Sequence, residues 1–370
     1  MQNRFLLFAL GLFFFSASAR AQIDSFIVDG VYRNYIIHLP AGYNGSTAYP
    51  LVFNLHGYTS NASEEELYTN MDATSDANHF ILVYPNGIAN YWNAFGTGAD
   101  DVKFIRELID TISSHYHVNS RRVYSCGISN GGYMSYTLAC SLSDKIAAIA
   151  SVSGTMSLNT YTTCSPARKV PVMHVHGTAD LTVPYATGAA NSIGVEQTLA
   201  FWRDTNDCRH ITDTIDLPNT STGDSCTVQR IDYAHCDNSE VLFYKITNGG
   251  HTWPNGTIGI PAYGYTDRDI SANDEIWKFF NRYTLDGPTA IEETTIDPTL
   301  NIHPNPSTGI LRIKTDSKIN GTDIYDLTGR KVMSFTGEKE LNISTLTPGM
   351  YIVHIVQNSN RQTLIKVVKE

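Results

Sequence analysis

The chain has 370 residues, of which 42% are hydrophobic and 17% are charged, a composition that excludes disorder or a collagen-like repeat for most of it. Its 26 basic and 36 acidic residues give a net charge of -10, which argues against a protein that binds nucleic acid by neutralising phosphates. At about 150 residues per domain, the length fits one large domain and a small module. No pattern calls for a cofactor or a metal ion, and the oligomeric state stays open.

Residues 1–21 have the pattern of a secretory signal peptide. Arg4 precedes an apolar run from Phe5 to Phe15, and Ala19-Arg20-Ala21 is a cleavage site of the A-x-A type. A membrane anchor is the alternative, but the run is too short to span a bilayer comfortably and small residues close it. We therefore expect a mature chain that begins at Gln22 and is exported through the periplasm.

Export makes the six cysteines candidates for disulfide bonds rather than metal ligands, because extracellular compartments are oxidising. No two of them form a C-x-x-C pair, and the spacing alone leaves all pairings open. We expect Cys126 to be buried and free because it ends a predicted central strand, whereas the alternative is that all six are paired. The six are Cys126, Cys140, Cys164, Cys208, Cys226 and Cys236.

The larger part of the chain alternates apolar runs with helical patterns, which predicts an open α/β sheet of mostly parallel strands. The runs are continuous, as is typical of parallel strands that are buried on both faces. A first helix follows from apolar residues at steps of three and four between Val102 and Tyr116. The predicted strands are 51–55, 81–84, 123–126, 146–152, 170–176 and 241–246, after a hairpin over 26–29 and 33–39; the other predicted helices are 130–143, 196–203 and 273–283.

The composition changes after Tyr283. Residues 285–295 place Gly287 and Pro288 among polar and acidic residues, which predicts a linker. From 296 to 370 helical periodicity disappears and short β-type segments follow closely, which predicts a small all-β sandwich. We therefore expect a domain at 22–284, a linker at 285–295 and a β domain at 296–370, the last with strands at 311–314, 323–327, 331–335, 340–343, 351–356 and 363–368.

One motif indicates a nucleophilic serine. Gly127-Ile128-Ser129-Asn130-Gly131 directly follows the predicted strand 123–126 and opens a predicted helix. A G-x-S-x-G between a strand and a helix is the pattern of a nucleophile elbow, in which the glycines permit a sharp turn that exposes the serine hydroxyl. Ser129 is therefore the candidate nucleophile.

A nucleophilic serine needs a base, and the base needs a carboxylate that orients it. In an α/β-hydrolase the chain order is serine, acid, histidine. Asp180 lies in the loop after the predicted strand 170–176, and His251 lies in the loop after the predicted strand 241–246. Both loops follow the carboxyl ends of strands, so Asp180 and His251 complete a predicted catalytic triad with Ser129.

Other residues offer alternatives for these roles. Asp207 and Asp237 lie nearer His251 in sequence, but neither ends an apolar strand. His174 and His176 are interpreted as structural histidines at a strand end rather than as bases.

The tetrahedral intermediate of an acyl transfer needs two backbone N–H donors for its oxyanion. The N–H of Asn130 follows from the elbow, and we expect the second from Tyr58, in the loop that follows the strand 51–55. A plain tight turn is the alternative for that loop. Trp92 and Trp253 flank these loops, and they are candidate walls of a substrate-binding pocket for an acyl or aromatic group. Burial in the core is the alternative, because exported proteins usually bury their tryptophans.

Residues 25–283 resemble the secreted serine esterases that include polyhydroxybutyrate depolymerases, feruloyl esterases and acetylxylan esterases. The resemblance implies Ser129 as nucleophile, His251 as base and Asp180 as its orienting group. At Tyr58 the chain departs from many relatives, which carry a small residue, and this implies a narrower or aromatic acyl pocket. The motifs that carry the resemblance are His56-Gly57, Asp100-Asp101-Val102, Arg122-Val123-Tyr124, the run Gly127 to Gly132, His176-Gly177-Thr178-Ala179-Asp180 and Gly250-His251-Thr252-Trp253-Pro254.

The same resemblance implies a disulfide pattern. Cys140 pairs with Cys164, and Cys208 pairs with Cys236, with Cys226 as a competing partner for Cys208.

The residues from about 296 to 370 resemble the C-terminal sorting domains of type IX secretion. A carbohydrate-binding sandwich is the alternative, but no row of aromatic residues supports it. The resemblance implies the type IX secretion machinery as a partner. The motifs that carry it are Pro304-Asn305-Pro306-Ser307-Thr308-Gly309, Tyr325-Asp326-Leu327-Thr328-Gly329-Arg330, Leu346-Thr347-Pro348-Gly349-Met350-Tyr351 and Lys366-Val367-Val368-Lys369.

The leading hypothesis is an extracellular carboxylic ester hydrolase that forms an acyl-enzyme. Its substrate is a polymeric ester: a feruloyl or acetyl ester of a plant polysaccharide, or a polyhydroxyalkanoate polyester. The rival hypothesis is a surface-delivered binding protein on an inactive hydrolase scaffold. The complete set of Ser129, Asp180 and His251 favours the enzyme, since binding alone needs none of them.

Overall fold

The computed structural model describes residues 22–208, 213–233, 236, 238–288, 300–326, 331–357 and 362–370. The predicted signal peptide and most of the predicted linker lie outside these ranges. The chain divides into two compact units, Met1–Pro288 and Thr289–Glu370.

The first unit carries all the helices named here, and its described strands β1 to β10 form one sheet. In chain order its elements are β1 (Gln22–Val28), β2 (Val31–His38), β3 (Tyr49–Leu55), α1 (Ala62–Thr69), α2 (Asp72–Asn78), β4 (Ile81–Pro85), α3 (Asp101–His115), β5 (Val118–Ile128), α4 (Asn130–Ser141), β6 (Ala148–Val152), α5 (Leu158–Thr163), β7 (Val172–Gly177), α6 (Val195–Thr205), β8 (Asp213–Asp216), β9 (Thr227–Tyr233), β10 (Val241–Thr247), α7 (Ala272–Phe280), β11 (Tyr283–Thr284) and β12 (Gly287–Pro288).

The sheet confirms the predicted α/β class. Its order is β1-β2-β4-β3-β5-β6-β7-β10-β9-β8. The pairs from β4 to β10 across the middle of the sheet are parallel, and the pairs at both edges are antiparallel. Because neighbouring parallel strands end at the same edge, the loops after β3, β5, β7 and β10 come together there.

The parallel strands are buried on both faces. In β3, Leu51 and Phe53 belong to the core on one side of the sheet, whereas Val52 between them belongs to the core on the other side. Helix α3 covers the first side with Phe104 and Leu108, and its N-terminus is capped by Asp100, whose carboxylate accepts the N–H of Lys103 at 2.9 Å. Continuous apolar runs therefore predicted these strands correctly.

Several elements have no counterpart in the predicted ones. Helices α1 and α2 have polar sequences without an apolar stripe, and β8 is fully exposed. These segments lack the periodicity on which sequence-based prediction depends, and their positions come from tertiary contacts. Every helix in the described part of the chain is too short or too polar to cross a bilayer.

The cysteines are bonded in the pattern that the resemblance implies. Cys140, in α4, is bonded to Cys164, the residue after α5, and Cys208 is bonded to Cys236. Cys126 and Cys226 are free and buried. Burial of Cys126 raises the pKa of its thiol well above the ordinary value, so this thiol stays protonated at neutral pH.

The second unit is all β in its described residues, as its sequence predicts. Its strands form a three-stranded sheet of order β13-β14-β17 and a four-stranded sheet of order β16-β15-β18-β19. Alternate residues such as Leu311, Ile313, Val353 and Ile355 are buried in a core of this unit alone. Residues 327–330 of the sorting-domain motif that begins at Tyr325 lie outside the described residues. The strands are β13 (Asn301–His303), β14 (Ile310–Lys314), β15 (Ile319–Tyr325), β16 (Lys331–Phe335), β17 (Glu340–Asn342), β18 (Gly349–Gln357) and β19 (Gln362–Lys369).

Because each unit has a core of its own, we expect a chain of residues 22–288 to fold alone. Its thermal unfolding midpoint should match that of the first unit in the full chain. Ending the chain after Arg282 instead should lower the stability by about 3 kcal/mol, the typical cost of removing a buried aromatic ring. The lost residue Tyr283 is buried, and its carbonyl accepts the hydroxyl of Tyr124 at 2.6 Å.

Calorimetry of both chains and of the full protein checks this prediction. An insoluble 22–288 chain would show that the predicted division of the protein into independent domains is wrong.

Candidate active site

Ser129 occupies the turn between β5 and α4. Its backbone has φ 55° and ψ −120°, a conformation that is costly for a residue with a Cβ atom. Its N–H donates to the carbonyl of Val152 on β6 at 2.8 Å, and its carbonyl accepts the N–H of Tyr133 at 2.9 Å. The turn is thus held from both sides in the strained form of a nucleophile elbow.

Glycines flank this turn because two backbone segments approach very closely. A Cβ atom on Gly131 would lie 1.9 Å from the carbonyl oxygen of Leu55, and one on Gly127 would lie 2.5 Å from it. A Cβ atom on Gly57 would lie 3.6 Å from the Cβ of Ser129. The end of β3 therefore passes directly beside the elbow, and the Gly57 loop stands next to the serine.

Asp180 and His251 form a buried pair. The Nδ1 of His251 lies 2.8 Å from Oδ2 of Asp180, and the two residues are 7% and 2% exposed. The other oxygen, Oδ1, accepts the N–H groups of Thr182 at 2.9 Å and Val183 at 2.8 Å. These donors hold the carboxylate in place, so that Oδ2 can accept the Nδ1 proton and leave Nε2 of the imidazole as an acceptor.

The loops that carry this pair are tied to each other. They follow β7 and β10, which are parallel neighbours. The N–H of Ala179 donates to the carbonyl of Gly249 at 2.9 Å, and the N–H of His251 donates to the carbonyl of Tyr263 at 2.7 Å. The positions of the carboxylate and the imidazole are therefore fixed by backbone contacts.

Ser129 and His251 line one cavity of about 310 Å³. The cavity is thus where a group bound to the serine would meet the imidazole. Its other walls are mostly apolar, with two acidic residues, Glu64 and Glu65. The apolar and aromatic lining residues are Leu67, Ile128, Ile258, Ile260, Tyr58, Tyr68 and Tyr263.

Of the two predicted oxyanion donors, Asn130 follows Ser129 directly in the chain, and Tyr58 lines the same cavity as Ser129. Asn130 begins α4, so its N–H has no acceptor within the helix. Tyr58 follows Gly57, and both line the cavity. His56 anchors their loop: its Nδ1 donates to the carbonyl of Gly57 at 2.7 Å, and its Nε2 accepts the N–H of Gly87 at 3.0 Å. Burial lowers the pKa of His56, which keeps it neutral in this bridging role.

Solved structures support the fold. The chain is similar to an acetyl xylan esterase from Aspergillus awamori, with a TM-score of 0.51 over 70% of this chain and 98% of that one. Their sequences are 14% identical, so this likeness concerns the fold alone. The family model described as Phospholipase/Carboxylesterase matches residues 97–207, which include Ser129 and Asp180.

Curated proteins give the closer comparison. The chain is 28% identical to a bifunctional acetylxylan esterase/xylanase of Neocallimastix patriciarum over 74% of this chain, and 29% identical to feruloyl esterase B of Piromyces equi over 61%. It spans 36% and 44% of those relatives' lengths. It is also 30% identical to NocK of Nocardia uniformis subsp. tsuyamanensis, a protein named as an esterase, over 70% of this chain and 82% of that protein. The chain belongs to the α/β-hydrolase family of feruloyl and acetylxylan esterases.

The second unit has a family of its own. Residues 301–370 match the model described as Secretion system C-terminal sorting domain. With the two disulfides of the esterase-family unit, this match identifies a secreted or cell-surface protein.

Neither of the two tryptophans that we expected at the walls of the substrate pocket lies there. Trp92 and Trp253 are fully buried, and neither lines the cavity, so the prediction that they form its walls is wrong. The indole N–H of Trp92 donates to the carbonyl of His56 at 3.0 Å, and that of Trp253 donates to Oδ1 of Asn273 at 3.0 Å. Each large ring finds both an apolar environment and a polar partner inside the protein, so neither remains available to a substrate.

Trp92 instead contacts Asn130, the residue that follows Ser129. The Asn130 side chain accepts the N–H of Trp92 at 2.6 Å and donates to its carbonyl at 3.1 Å. Nearby, Asp101 from the esterase-family motif is buried between the guanidinium of Arg33 at 2.6 Å and the N–H of Asn93 at 2.7 Å. These contacts fix residues 92 and 93 next to Asn130 and Asp101.

Sequence reasoning missed two kinds of cavity residue. Tyr68 and Tyr263 line the cavity, and the Tyr263 ring lies edge-on to His251 at 5.8 Å. Glu65 lines it as well, although it is 1% exposed and its Oε1 has no hydrogen-bond partner. Burial raises the pKa of Glu65 well above the ordinary value, which favours the neutral carboxylic acid. Helix α1 and the loop after His251 have no hydrophobic periodicity or sequence motif, so nothing in the sequence indicated that these residues line the cavity.

The alternative acids and histidines lie elsewhere. Asp207 is exposed and pairs with Lys169 at 2.5 Å, whereas Asp237 lies outside the described residues. His174 and His176 are fully buried in β7, where Nδ1 of His174 lies 2.8 Å from the Tyr136 hydroxyl. Burial lowers the pKa of both histidines.

These buried histidines predict acid sensitivity of the fold. Unfolded, His174 takes up a proton near its ordinary pKa of 6.5, whereas the folded chain keeps it neutral to a lower pH. The free energy of unfolding should therefore fall as the pH drops below 6.5. His174→Gln should make this dependence shallower by up to about 1.4 kcal/mol per pH unit.

Denaturant unfolding between about pH 5 and 7 measures these slopes. His115→Gln, at an exposed histidine, is the control and should match the wild type. Equal slopes for the wild type and His174→Gln would contradict the prediction.

Proposed function

We propose that the protein is a carboxylic ester hydrolase that acts through a serine acyl-enzyme. The observation that carries this proposal is the buried Asp180–His251 pair at a cavity that Ser129 also lines. The backbone conformation of Ser129 adds support, because strain of this kind persists only where the surrounding structure enforces it.

In the first half of the reaction the Ser129 hydroxyl oxygen attacks the ester carbonyl, and Nε2 of His251 takes the hydroxyl proton. The resulting oxyanion accepts the N–H groups of Asn130 and Tyr58. When the C–O bond to the alcohol breaks, the imidazolium returns the proton to the leaving oxygen. The acyl group then remains on Ser129 as an ester.

In the second half a water molecule attacks the acyl carbonyl while His251 takes a proton from the water. The bond between the acyl carbon and the Ser129 oxygen then breaks, and the imidazolium returns the proton to that oxygen. The Asp180 carboxylate orients the imidazole and stabilises the imidazolium through the 2.8 Å contact to Nδ1. The N–H groups of Thr182 and Val183 hold the carboxylate in place, so the imidazole is oriented before the substrate binds.

For the substrate we propose a polymeric plant-polysaccharide ester with an aromatic acyl group of the feruloyl type. The cavity of about 310 Å³ is larger than an acetyl group requires, and its walls include Tyr58, Tyr68 and Tyr263. Tyr58 is 65% exposed and lies edge-on to Tyr91 at 6.0 Å, so an aromatic acyl group can pack against it. Relatives named as feruloyl and acetylxylan esterases agree with this substrate class. An aliphatic polyester is the remaining candidate.

We propose that the second unit is a delivery tag recognised by the type IX secretion machinery. The match of residues 301–370 to a sorting domain supports this role. The residues Ser129, Asp180 and His251 all precede that unit, so the tag supplies none of the proposed chemistry.

Substitution of the three residues tests the mechanism. Ser129→Ala and His251→Ala should each lower kcat on a nitrophenyl ester by about 10⁶-fold, and Asp180→Asn by somewhat less, because the three act as one unit. Asp207→Asn, at the rival carboxylate, should leave kcat unchanged. Labelling by a fluorophosphonate should occur in the wild type and be lost in Ser129→Ala. Turnover that survives in Ser129→Ala would remove the proposed nucleophile.

The substrate class has a separate test. We expect methyl ferulate to be a better substrate than acetylated xylan or polyhydroxybutyrate. Tyr58→Ala should lower kcat/KM on methyl ferulate roughly fivefold more than on an acetyl ester, because one aromatic contact is worth about 1 kcal/mol. Tyr58→Phe keeps the ring and should behave like the wild type. A preference for polyhydroxybutyrate would favour the polyester instead.

A further inference from the structure

Three carboxylates meet at a place outside the catalytic cavity. Asp224 lies in the loop before β9, and Asp267 and Asp269 lie in the segment that leads from the His251 loop into α7. Each contributes an oxygen to a cluster in which these atoms lie within 4.8 Å of one another.

Two oxygens of this cluster are buried without a hydrogen-bond partner. Asp267 is 1% exposed and its Oδ1 is unpaired, and Oδ2 of Asp269 is likewise buried and unpaired. A buried carboxylate oxygen that no donor meets is costly, and a second and third carboxylate beside it add repulsion. A bound cation would compensate both the unpaired oxygens and the repulsion between the carboxylates.

The other oxygens are fixed by backbone donors. Oδ2 of Asp267 accepts the N–H of Ile270 at 3.2 Å, and Oδ1 of Asp269 accepts the N–H of Ser221 at 2.8 Å. Asp224 accepts the N–H of Cys226 at 2.8 Å. These contacts hold the carboxyl groups in place and leave one oxygen each of Asp267 and Asp269 free for a ligand.

The basic residue between Asp267 and Asp269 in the sequence is Arg268, and its side chain forms no ion pair with the cluster. The guanidinium of Arg268 donates to the carbonyl of Gly256 at 2.6 Å, and only its backbone N–H donates to Asp224, at 2.7 Å. Within the described residues the cluster therefore carries an uncompensated negative charge.

We propose that Asp224, Asp267 and Asp269 bind a Ca²⁺ ion. Calcium takes oxygen ligands at about 2.3–2.6 Å, so ligands of one ion lie no more than about 5 Å apart. The three carboxylate oxygens lie within 4.8 Å of one another, which is close enough for all three to reach one ion. The all-oxygen donor set disfavours Zn²⁺, which prefers nitrogen and sulfur, and Mg²⁺ demands shorter bonds of about 2.0–2.1 Å. Water and backbone carbonyls complete the coordination.

This ion would act on the stability of the cavity loop. The N–H of Asn255 donates to the carbonyl of Asp267 at 2.9 Å, so the cluster is linked to the segment that begins at His251. Ca²⁺ would join this segment to the loop at Asp224. The inference does not depend on the proposed esterase activity, because its readout is metal binding and unfolding.

The test uses the full chain freed of metal by a chelator. Titration with CaCl₂ in a calorimeter should give one site with a Kd at or below about 10⁻³ M, the range of extracellular calcium sites. The thermal unfolding midpoint of the first unit should rise by several degrees in CaCl₂ and by less in the same concentration of MgCl₂.

Asp267→Asn and Asp269→Asn should each weaken Ca²⁺ binding at least tenfold. Asp267→Asn also removes a charge that repels the neighbouring carboxylates. In the presence of chelator, the thermal unfolding midpoint of this variant should therefore equal or exceed that of the wild type. A residue with only a structural role would instead lower the midpoint when it is replaced. Asp216→Asn, at an exposed carboxylate of β8, is the matched control and should bind Ca²⁺ like the wild type.

Two results would overturn the proposal. In the first, CaCl₂ gives no binding heat in the titration and does not change the thermal unfolding midpoint of the wild type. This would mean that a shared proton, rather than a metal ion, compensates the carboxylates. The other is an equal response to MgCl₂, which would mean general charge screening.

Discussion

The tight turn between β5 and α4 is the constraint on which the rest of the site depends. It places a non-glycine residue, Ser129, at a positive φ, and it leaves no room for a side chain at Gly127 or Gly131. The neighbouring strands β3 and β6 hold this turn through contacts with Leu55 and Val152. Because the strands are parallel, the same sheet edge that bears the turn also bears the loops of Tyr58, Asp180 and His251.

Around this edge the protein buries polar groups that are held by backbone atoms. His56, Asp101 and Asn130 each bind the main chain of a neighbouring loop, and their partners lie within 3.1 Å. Buried groups of this kind stabilise little on balance but specify one arrangement, because any other arrangement leaves them unpaired. The loops at the cavity are therefore held by specific contacts, although they contain little regular structure.

The segment from His251 to Asp269 has a double role in this arrangement. Its first part supplies the imidazole, Tyr263 and two isoleucines to the cavity, and its last part supplies two of the three clustered carboxylates. A long segment with little regular structure needs fixed points at both ends. The Asp180 contact provides one of them, and the proposed calcium ion provides the other.

The sequence by itself determined the α/β class, the β nature of the second unit and the candidate residues Ser129, Asp180 and His251. It did so because buried parallel strands are continuous apolar runs, and because residues just after such runs share one sheet edge. It could not place Trp92 and Trp253, because an indole ring beside a loop can point into the protein or into the cavity. The rings point into the protein, where their N–H groups donate to His56 and Asn273. Glu65 and the three aspartates were also invisible to it, since polar residues far apart in the chain carry no periodicity. Only the tertiary structure places Glu65 at the cavity and the three aspartates beside one another, because these positions follow from how distant segments of the chain pack. That packing buries one oxygen each of Glu65, Asp267 and Asp269 without a hydrogen-bond partner.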